Sequence, residues 1–367
     1  QVAFWHNAQA EQAKQTTWPE ALAKLTNPKD SELLIIEEGS VQAPLSQCTI
    51  TDAAEVLAAQ SFSGHIDANN NLLSYSALVR QLSYGSHAQQ MSVKDRGDGS
   101  SQLVDPSQNI TSNELRFTLA KGKNSGLLLH DILEQVDFSQ PSWPSAMDVP
   151  LAKYHTMVGI GEDDANKVEC LQQWLEECIG ASIPPINATG SVASDKRAGF
   201  TLGQLSQQQT LRETEFYFPL QQAKQSTLAQ ILSRHRGGLP TALPSHPVLQ
   251  GMMHGFIDLV FEYDGRFFLA DYKSNHLGDH LEDYHQQAML EANQHHYYDL
   301  QYLIYSLALH RYLGQRVPNY DPVEHFGGVY YLYLRGMAPK VTSGVYAKAI
   351  SIKELNDLDH LFAGEAV

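Results

Sequence analysis

Cysteine is scarce in this sequence. The chain has three cysteines, Cys48, Cys170 and Cys178, and no Cys-x-x-Cys pair. This pattern excludes a four-thiolate zinc or iron–sulfur site built by this chain, and the odd number argues against a secreted disulfide framework. We therefore expect a cytoplasmic protein, in which the Asn-x-Thr triplets at Asn109 and Asn187 are chance matches to the glycosylation signal.

Long apolar runs are also missing. No segment approaches the roughly 20 apolar residues that a membrane-spanning helix needs. The opening stretch, QVAFWHNAQAEQAKQ, has neither the basic start nor the apolar middle of a signal peptide. We expect no membrane association. Because the chain begins with Gln rather than Met, inside ordinary globular sequence, we also expect a piece of a longer protein.

Positive charge is the third deficit. The chain has 25 basic and 41 acidic residues, for a formal net charge of -16. This charge argues against a stand-alone nucleic-acid binder. It does not exclude a nuclease, because a metal-dependent site needs local carboxylates and a partner subunit can supply a positive channel. The sequence has no G-x-x-x-x-G-K-[ST] motif, so we expect no ATP hydrolysis in this chain.

The length and apolar content indicate at least one real hydrophobic core. The chain has 367 residues, of which 43% are hydrophobic. A stretch rich in Gly, Ser, Asp and Asn at 91–112 lacks periodicity and predicts a linker. We therefore predict an N-terminal segment over 1–115, whose first 60 residues suggest no chemistry, and a second domain over 116–367.

The second domain mixes helical and strand patterns. Asn124-Ser125-Gly126 is expected to cap a helix over 127–136, and a loop-like insertion is expected over 181–200. The remaining predicted elements are helical segments over 151–179 and 282–313, and strands over 214–220, 255–263, 266–273 and 329–334. This order predicts an α/β fold with a small mixed sheet flanked by helices.

The most informative local feature is the Asp-Gly pair at 264 and 265, which lies between two strand-like runs. This dipeptide is a strong signal for a two-residue hairpin turn. If Tyr263 pairs with Arg266, counting along the two strands brings Asp258 opposite Asp271. Directly opposed residues have Cβ atoms roughly 4.5–5.5 Å apart on one face of the sheet. The sequence therefore predicts a pair of facing carboxylates.

Two facing carboxylates on otherwise apolar strands repel each other and require compensation. A divalent cation between them provides it, and Mg²⁺ prefers such oxygen ligands. Lys273 shares their face and can balance the remaining charge or hold an attacking water. The alternative is that both acids are strand-end residues in solvent and that Lys273 is an ordinary ion-pair partner. A bulge in either strand would break the register.

An acid on one strand followed after a hairpin by Asp-x-Lys on the next is the pattern of the PD-(D/E)xK nucleases. The segment GFIDLVFEYDGRFFLADYKSNHLG carries this pattern and resembles the RecB-type nucleases of that superfamily. Further blocks resemble the same family in the same order: SGLLLHDILEQVDF, YDLQYLIYSLALHRYL and HFGGVYYLYLRG. The similarity extends upstream through SFSGHIDANNNLLSYSAL. The resemblance implies a restriction-endonuclease-like core.

The resemblance also implies roles for individual residues. Asp258 and Asp271 would ligate Mg²⁺, with Mn²⁺ or Ca²⁺ able to substitute in binding, and His130 and the Tyr272 carbonyl would complete the ligand set. Lys273 would position or help to activate the water that attacks a DNA phosphodiester. Whether one ion or two takes part is left open.

Three further residues are predicted near this site. Gln301 and Tyr305 match a Gln-x-x-x-Tyr pattern of the family and share one helical face. The resemblance implies a role near the DNA strand or in orienting the site, and the alternative is packing plus a hydrogen bond. Glu215 is either a further acid of the site or an exposed strand residue. For His130 itself, the alternative is a histidine satisfied within the core.

Two basic groups have less specific signals. A run of histidines is compatible with zinc by spacing, but no thiolate accompanies it and we favour a solvated face. Its members are His276, His280, His285, His295 and His296. Arg234, His235 and Arg236 are interpreted as a solvated loop in preference to a phosphate contact.

The resemblance finally implies a place in a larger assembly. A RecB-type subunit acts on DNA ends with RecC-like and RecD-like subunits in recombinational double-strand-break repair, and its helicase domains precede the nuclease. Two alternatives stay open: a PD-(D/E)xK endonuclease that acts alone, and a partner-docking module whose nuclease site is idle.

Overall fold

The computed structural model describes residues 71–84, 111–161, 164–187, 199–241 and 248–365. All of them belong to one compact unit, Ile66–Val367. The first 60 residues and nearly all of the predicted linker lie outside the described residues. Within the described part, no helix has the length and apolar character needed to cross a membrane.

The helices begin and end at recognisable caps. Thr111 and Ser351 each form a capping box with a glutamate three residues later, and Gly159 ends a helix in the left-handed conformation. The helices are α1 (Tyr75–Tyr84), α2 (Ser112–Thr118), α3 (Lys123–Gln135), α4 (Trp143–Val158), α5 (Ala165–Ile179), α6 (Gln225–His235), α7 (Gln286–His295), α8 (Tyr298–Arg316), α9 (Pro322–His325) and α10 (Ile352–Phe362).

The strands form one mixed sheet. They are β1 (Asn71–Ser74), β2 (Thr210–Lys224), β3 (Val248–Tyr263), β4 (Arg266–Lys273), β5 (Phe326–Tyr333) and β6 (Val345–Lys348). β1 and β4 pair with successive parts of β3, β5 joins β4 in parallel, and β6 closes that end, while β2 pairs along β3. The predicted α/β class with a small mixed sheet is confirmed.

Both faces of the central strands are buried. In β4, Leu269 packs into a cluster with α8, whereas Phe268 and Ala270 pack into a second cluster with α3 and α5. Strands covered on both faces read as nearly continuous apolar runs, which is why β4 and β5 were recognisable from the sequence.

The predicted hairpin is confirmed. Asp264 and Gly265 both have positive φ, 52° and 74°, as a type I′ turn requires. The pairing runs in the predicted register from Tyr263 with Arg266 as far as Leu259 with Ala270. β4 has the predicted bounds. β2 and β3 are longer than predicted, because they also pair with each other beyond the predicted residues.

Three helical predictions are corrected. The cap of α3 is Gly122, so the helix begins at Lys123 and includes the residues predicted to cap it. The segment over 151–179 is two helices, because Gly159 terminates α4 and Asp164 caps α5. The segment over 282–313 is also divided, because Tyr297 adopts φ 57° between α7 and α8. The loop over 181–200 is held at its ends by a bridge between Ile183 and Phe200.

The division at residue 115 stays a prediction. One strand from the predicted N-terminal segment, β1, nevertheless pairs with β3 through residues Asn71 to Ser74. The sheet therefore draws on sequence that precedes the predicted boundary.

The end of α6 contacts acidic side chains of α8 and α10 through three successive residues, Arg234, His235 and Arg236. Arg234 pairs with Asp357 at 2.7 Å, His235 with Glu354 at 2.6 Å, and Arg236 with Asp299 at 2.5 Å. The interpretation of this triplet as a solvated loop is wrong, because two of the residues end α6 and all three contact acidic side chains.

Glu354 is expected to stabilise the fold in a pH-dependent way. Burial raises the pKa of Glu354, but hydrogen bonds from His235 and Ser351 outweigh it and lower the pKa to about 2. A carboxyl group whose pKa is lowered by folding stabilises the folded state at pH values above its ordinary pKa of 4.5. This contribution is lost as the pH falls toward 2. We expect Glu354→Gln to cost about 1–2 kcal/mol at pH 7, after allowance for partial exposure.

Urea unfolding of both proteins from pH 7 to pH 3 measures this effect. The difference between wild type and variant should shrink as the pH falls below about 4.5. Glu291→Gln on α7 is the matched control, since Glu291 contacts only a neighbouring glutamine at 2.8 Å among the hydrogen bonds of the described residues. A difference that is constant with pH would contradict the assignment.

Candidate active site

The site begins where the sheet is interrupted. β1 pairs with β3 only as far as Ser74 beside His254, and β4 pairs with β3 only from Leu259 onward. Among the described residues, positions 255–258 of β3 have no strand partner on that edge. Asp258 fills the interruption, because its Oδ2 accepts a hydrogen bond from the Tyr272 amide at 2.8 Å. A side chain thus replaces the backbone ladder at this point.

A cavity of about 470 Å³ opens at this interruption. Its lining includes Asp258, Asp271, Lys273 and His130, all of which are buried. The two acids predicted to face each other therefore lie on the same cavity, with the predicted lysine and histidine beside them. Gln301 and Tyr305 also line it, from α8.

His130 is presented by α3. Its Nε2 lies 2.8 Å from the Tyr272 carbonyl oxygen, and its Nδ1 lies 3.4 Å from Asp258 Oδ2. The structure therefore brings three of the predicted metal ligands into mutual contact.

Lys273 is held from three sides. Its Nζ lies 2.6 Å from Asp271 Oδ2 and 3.0 Å from Gln301 Oε1, and it lies 3.8 Å from the ring centroid of Tyr298. Gln301 Oε1 also accepts a hydrogen bond from the Tyr331 hydroxyl at 2.9 Å. The Gln301 amide therefore holds the ammonium group in place, and its site-orienting role stays a prediction.

The pKa values of Asp258 and Asp271 are shifted in opposite directions. Burial and the neighbouring Asp258 raise the pKa of Asp271 to about 6, although Lys273 opposes the shift. Burial also raises the pKa of Asp258, but His130, Lys273 and the Tyr272 amide together lower it below its ordinary value. For Lys273, Asp271 outweighs burial and raises the pKa. Two carboxylates with such divergent environments share one site, as in many acid–base and metal centres.

Glu213 is a candidate metal ligand that was not predicted from the sequence. Ligand atoms of Glu213, His130 and Asp258 all lie within 4.8 Å of one another, and this is the only such group of three or more found in the described part of the chain. The pairs on either side place Glu213 beside Asp258, and Glu213 has φ 44°. A helix and not a tight turn joins β2 to β3, and their register shifts between Leu220 and Ala223, so no local signal predicted this pairing.

Glu215 occupies a different position. Its Oε1 accepts hydrogen bonds from the Tyr217 hydroxyl at 2.7 Å and lies 2.9 Å from His254 Nε2. It is directly opposite Phe256 across the β2–β3 ladder. Glu215 is thus bonded to aromatic neighbours outside the three-ligand group, and its predicted membership of the site stays a prediction.

The donor set suits a hard divalent cation. Asp258 and Glu213 lie with the His130 imidazole in the three-ligand group, and the Tyr272 carbonyl lies beside His130. The predicted ligand Asp271 lines the same cavity as Asp258 and His130 but is not a member of that group. Oxygen-rich sets of this kind favour Mg²⁺ or Mn²⁺. Burial of mutually repelling acids, visible in the raised pKa of Asp271, is the condition that a bound cation relieves.

The histidine run makes no metal group of its own among the described residues. His280 and His285 occupy helix caps, and His276 lies 3.0 Å from Asp279. His296 stacks on Tyr298, with ring centroids 5.2 Å apart. Helix capping, ring packing and the contact with Asp279 therefore account for four of the five histidines whose spacing is compatible with zinc.

We expect Glu213→Gln to weaken metal binding by about 10–100-fold, because a neutral amide replaces a charged ligand. Glu215→Gln makes the same chemical change two residues away and should alter metal binding little. The measurement is the rise in melting temperature with increasing Mg²⁺ or Mn²⁺. An equal loss of metal binding in both variants, or a loss in Glu215→Gln alone, would contradict the assignment of Glu213 as a ligand.

The sequence matches known proteins over most of the described region. A profile of the PD-(D/E)XK nuclease superfamily matches residues 108–365. The chain is 37% identical to "RecBCD enzyme subunit RecB" of Escherichia coli (strain K12) over 247 residues, which cover 66% of the chain and 19% of that protein.

Two further relatives carry the same name. The protein of Haemophilus influenzae is 35% identical over 244 residues, or 66% of the chain and 19% of the relative. That of Mycobacterium tuberculosis is 30% identical over 312 residues, or 77% and 27%. The chain therefore spans about a fifth to a quarter of the length of these relatives.

Proposed function

The chain belongs to the PD-(D/E)XK nuclease superfamily, and we propose that it hydrolyses DNA phosphodiester bonds with Mg²⁺ at the cavity between β1 and β4. The observation that carries the proposal is the convergence of Asp258, Asp271, His130 and Lys273 on one buried cavity. Mn²⁺ would support the same chemistry, and Ca²⁺ would substitute in binding.

The ligands and the amine have separate tasks. Asp258, Asp271 and Glu213 would hold the cation by carboxylate, with the His130 imidazole and the Tyr272 carbonyl beside them. When bound, the cation supplies positive charge and Lewis acidity at the phosphodiester. Lys273 would hold the attacking water by its ammonium group and offset charge that develops on the phosphate.

The surrounding residues keep this arrangement rigid. Gln301 accepts from Lys273 at 3.0 Å and fixes the direction of the ammonium group. The Tyr272 amide donates to Asp258 at 2.8 Å and keeps one carboxylate oxygen in place. Tyr305 borders the cavity and contacts Phe216, with ring centroids 5.2 Å apart. Fixed charges of this kind need little reorganisation during the reaction.

Similarity to RecB subunits supports a place in a larger enzyme. We propose that this chain is the nuclease part of a cytoplasmic helicase–nuclease, which acts on DNA ends with RecC-like and RecD-like subunits in double-strand-break repair. Co-purification of the chain with such subunits tests the partnership. Failure of the chain to associate with either subunit would contradict it.

Cleavage assays test the activity itself. The full chain should degrade linear DNA with Mg²⁺ and lose that activity in EDTA. Equal cutting of closed circles and linear molecules would favour an endonuclease that acts alone. Absence of cleavage with both Mg²⁺ and Mn²⁺, together with tight binding to helicase subunits, would show a docking module instead.

A further inference from the structure

An exposed row of aromatic rings leads to the cavity. Tyr217 and Phe256 are 54% and 41% exposed, and His254 lies between them. The Tyr217 and His254 rings are stacked, with centroids 4.4 Å apart and planes at 16°, and the Phe256 ring meets His254 edge-on at 5.1 Å. We call these three residues the aromatic ridge.

The ridge and Asp258 share one face of β3. His254, Phe256 and Asp258 alternate along β3, and side chains two residues apart point to the same side of a strand. His254 and Phe256 themselves line the cavity that contains Asp258. The exposed rings are therefore continuous with the catalytic opening.

Polar bonds hold the ridge in shape. Glu215 accepts from the Tyr217 hydroxyl at 2.7 Å and lies 2.9 Å from His254 Nε2, so it fixes both rings. A negative charge among the rings repels phosphates but tolerates an uncharged aromatic ligand.

We propose that the aromatic ridge stacks the bases of unpaired nucleotides next to the scissile phosphate. Flat, exposed rings are the usual platform for bases, since every base has a π-face. The strand would lie with its bases on the ridge and its phosphates turned away from Glu215, toward the cavity and the exposed Lys123 at its border. Base pairs in a duplex hide these faces, so the ridge selects single strands. This inference rests on the proposed function.

Oligonucleotides with and without bases test the ridge. Fluorescence anisotropy in EDTA measures binding of the full chain to a 15-nucleotide single strand and to an abasic strand of the same length. The wild type should bind the strand with bases about tenfold or more tightly. Tyr217→Leu combined with Phe256→Leu should lower that affinity to the abasic level and leave abasic binding unchanged.

Controls separate the ridge from the fold and from the nuclease. Tyr312→Leu removes a 44% exposed tyrosine of α8 and should bind both strands like the wild type. The double variant should retain its rise in melting temperature with Mg²⁺. Equal wild-type affinity for the two strands, no binding to either, or an unchanged base preference in the double variant would overturn the proposal. Mg²⁺-dependent cleavage by the wild type in the same preparation shows whether the proposed function stands independently.

Discussion

Asp271→Asn is expected to reduce Mg²⁺-dependent DNA cleavage by about a thousandfold or more. Asparagine keeps the shape of the side chain and removes its charge. The cavity then lacks a carboxylate whose pKa is raised to about 6 by burial and by the neighbouring Asp258. The rise in melting temperature with Mg²⁺ should shrink in parallel, because a ligand that binds only the native state stabilises it in proportion to its affinity.

The hairpin provides a matched control. Asp264→Asn makes the same chemical change seven residues earlier, at a turn position with φ 52° that asparagine also adopts readily. This variant should cleave DNA and respond to Mg²⁺ like the wild type. Cleavage by Asp271→Asn within about tenfold of the wild type would remove Asp271 from the proposed mechanism.

Lys273→Met is expected to abolish cleavage to a similar extent but to retain metal binding. The side-chain stem stays and the ammonium group is lost, so the water and the developing phosphate charge lose their partner. Loss of the 2.6 Å ion pair also leaves Asp271 buried without its cation. Removing one partner of a buried ion pair lowers the free energy of unfolding by about 3–5 kcal/mol. The metal-free variant should therefore have a lower melting temperature than the wild type.

Mg²⁺ should therefore raise the melting temperature of Lys273→Met by more than that of the wild type. The opposite metal responses of Asp271→Asn and Lys273→Met distinguish a ligand from a positioning amine. Lys353→Met, at a lysine whose side chain is 71% exposed, is the control for loss of a positive charge. A Lys273→Met protein that loses its metal response, or that cleaves at wild-type rate, would contradict the role of Lys273.

Local sequence was sufficient for the hairpin and for its register. The Asp-Gly turn sets the pairing by counting, and the observed ladder follows it as far as Leu259 with Ala270, one pair short of the two acids predicted to face each other. Helix lengths were less accessible, because the break at Tyr297 comes from a backbone conformation that no dipeptide signal marks. His130 and Gln301 were found by family resemblance, since neither has a distinctive local pattern.

The chain's own residue pattern thus determined the α/β class, the turn and the register next to the turn, because these depend on neighbours within a few residues. Tertiary structure alone decided the opening in the sheet, since β1 and β4 reach the same edge of β3 from distant parts of the chain and leave Asp258 between them. It also brought Glu213 to Asp258 and assembled the aromatic ridge. Such long-range pairings are set by how whole strands bury their surfaces, and no local signal records them.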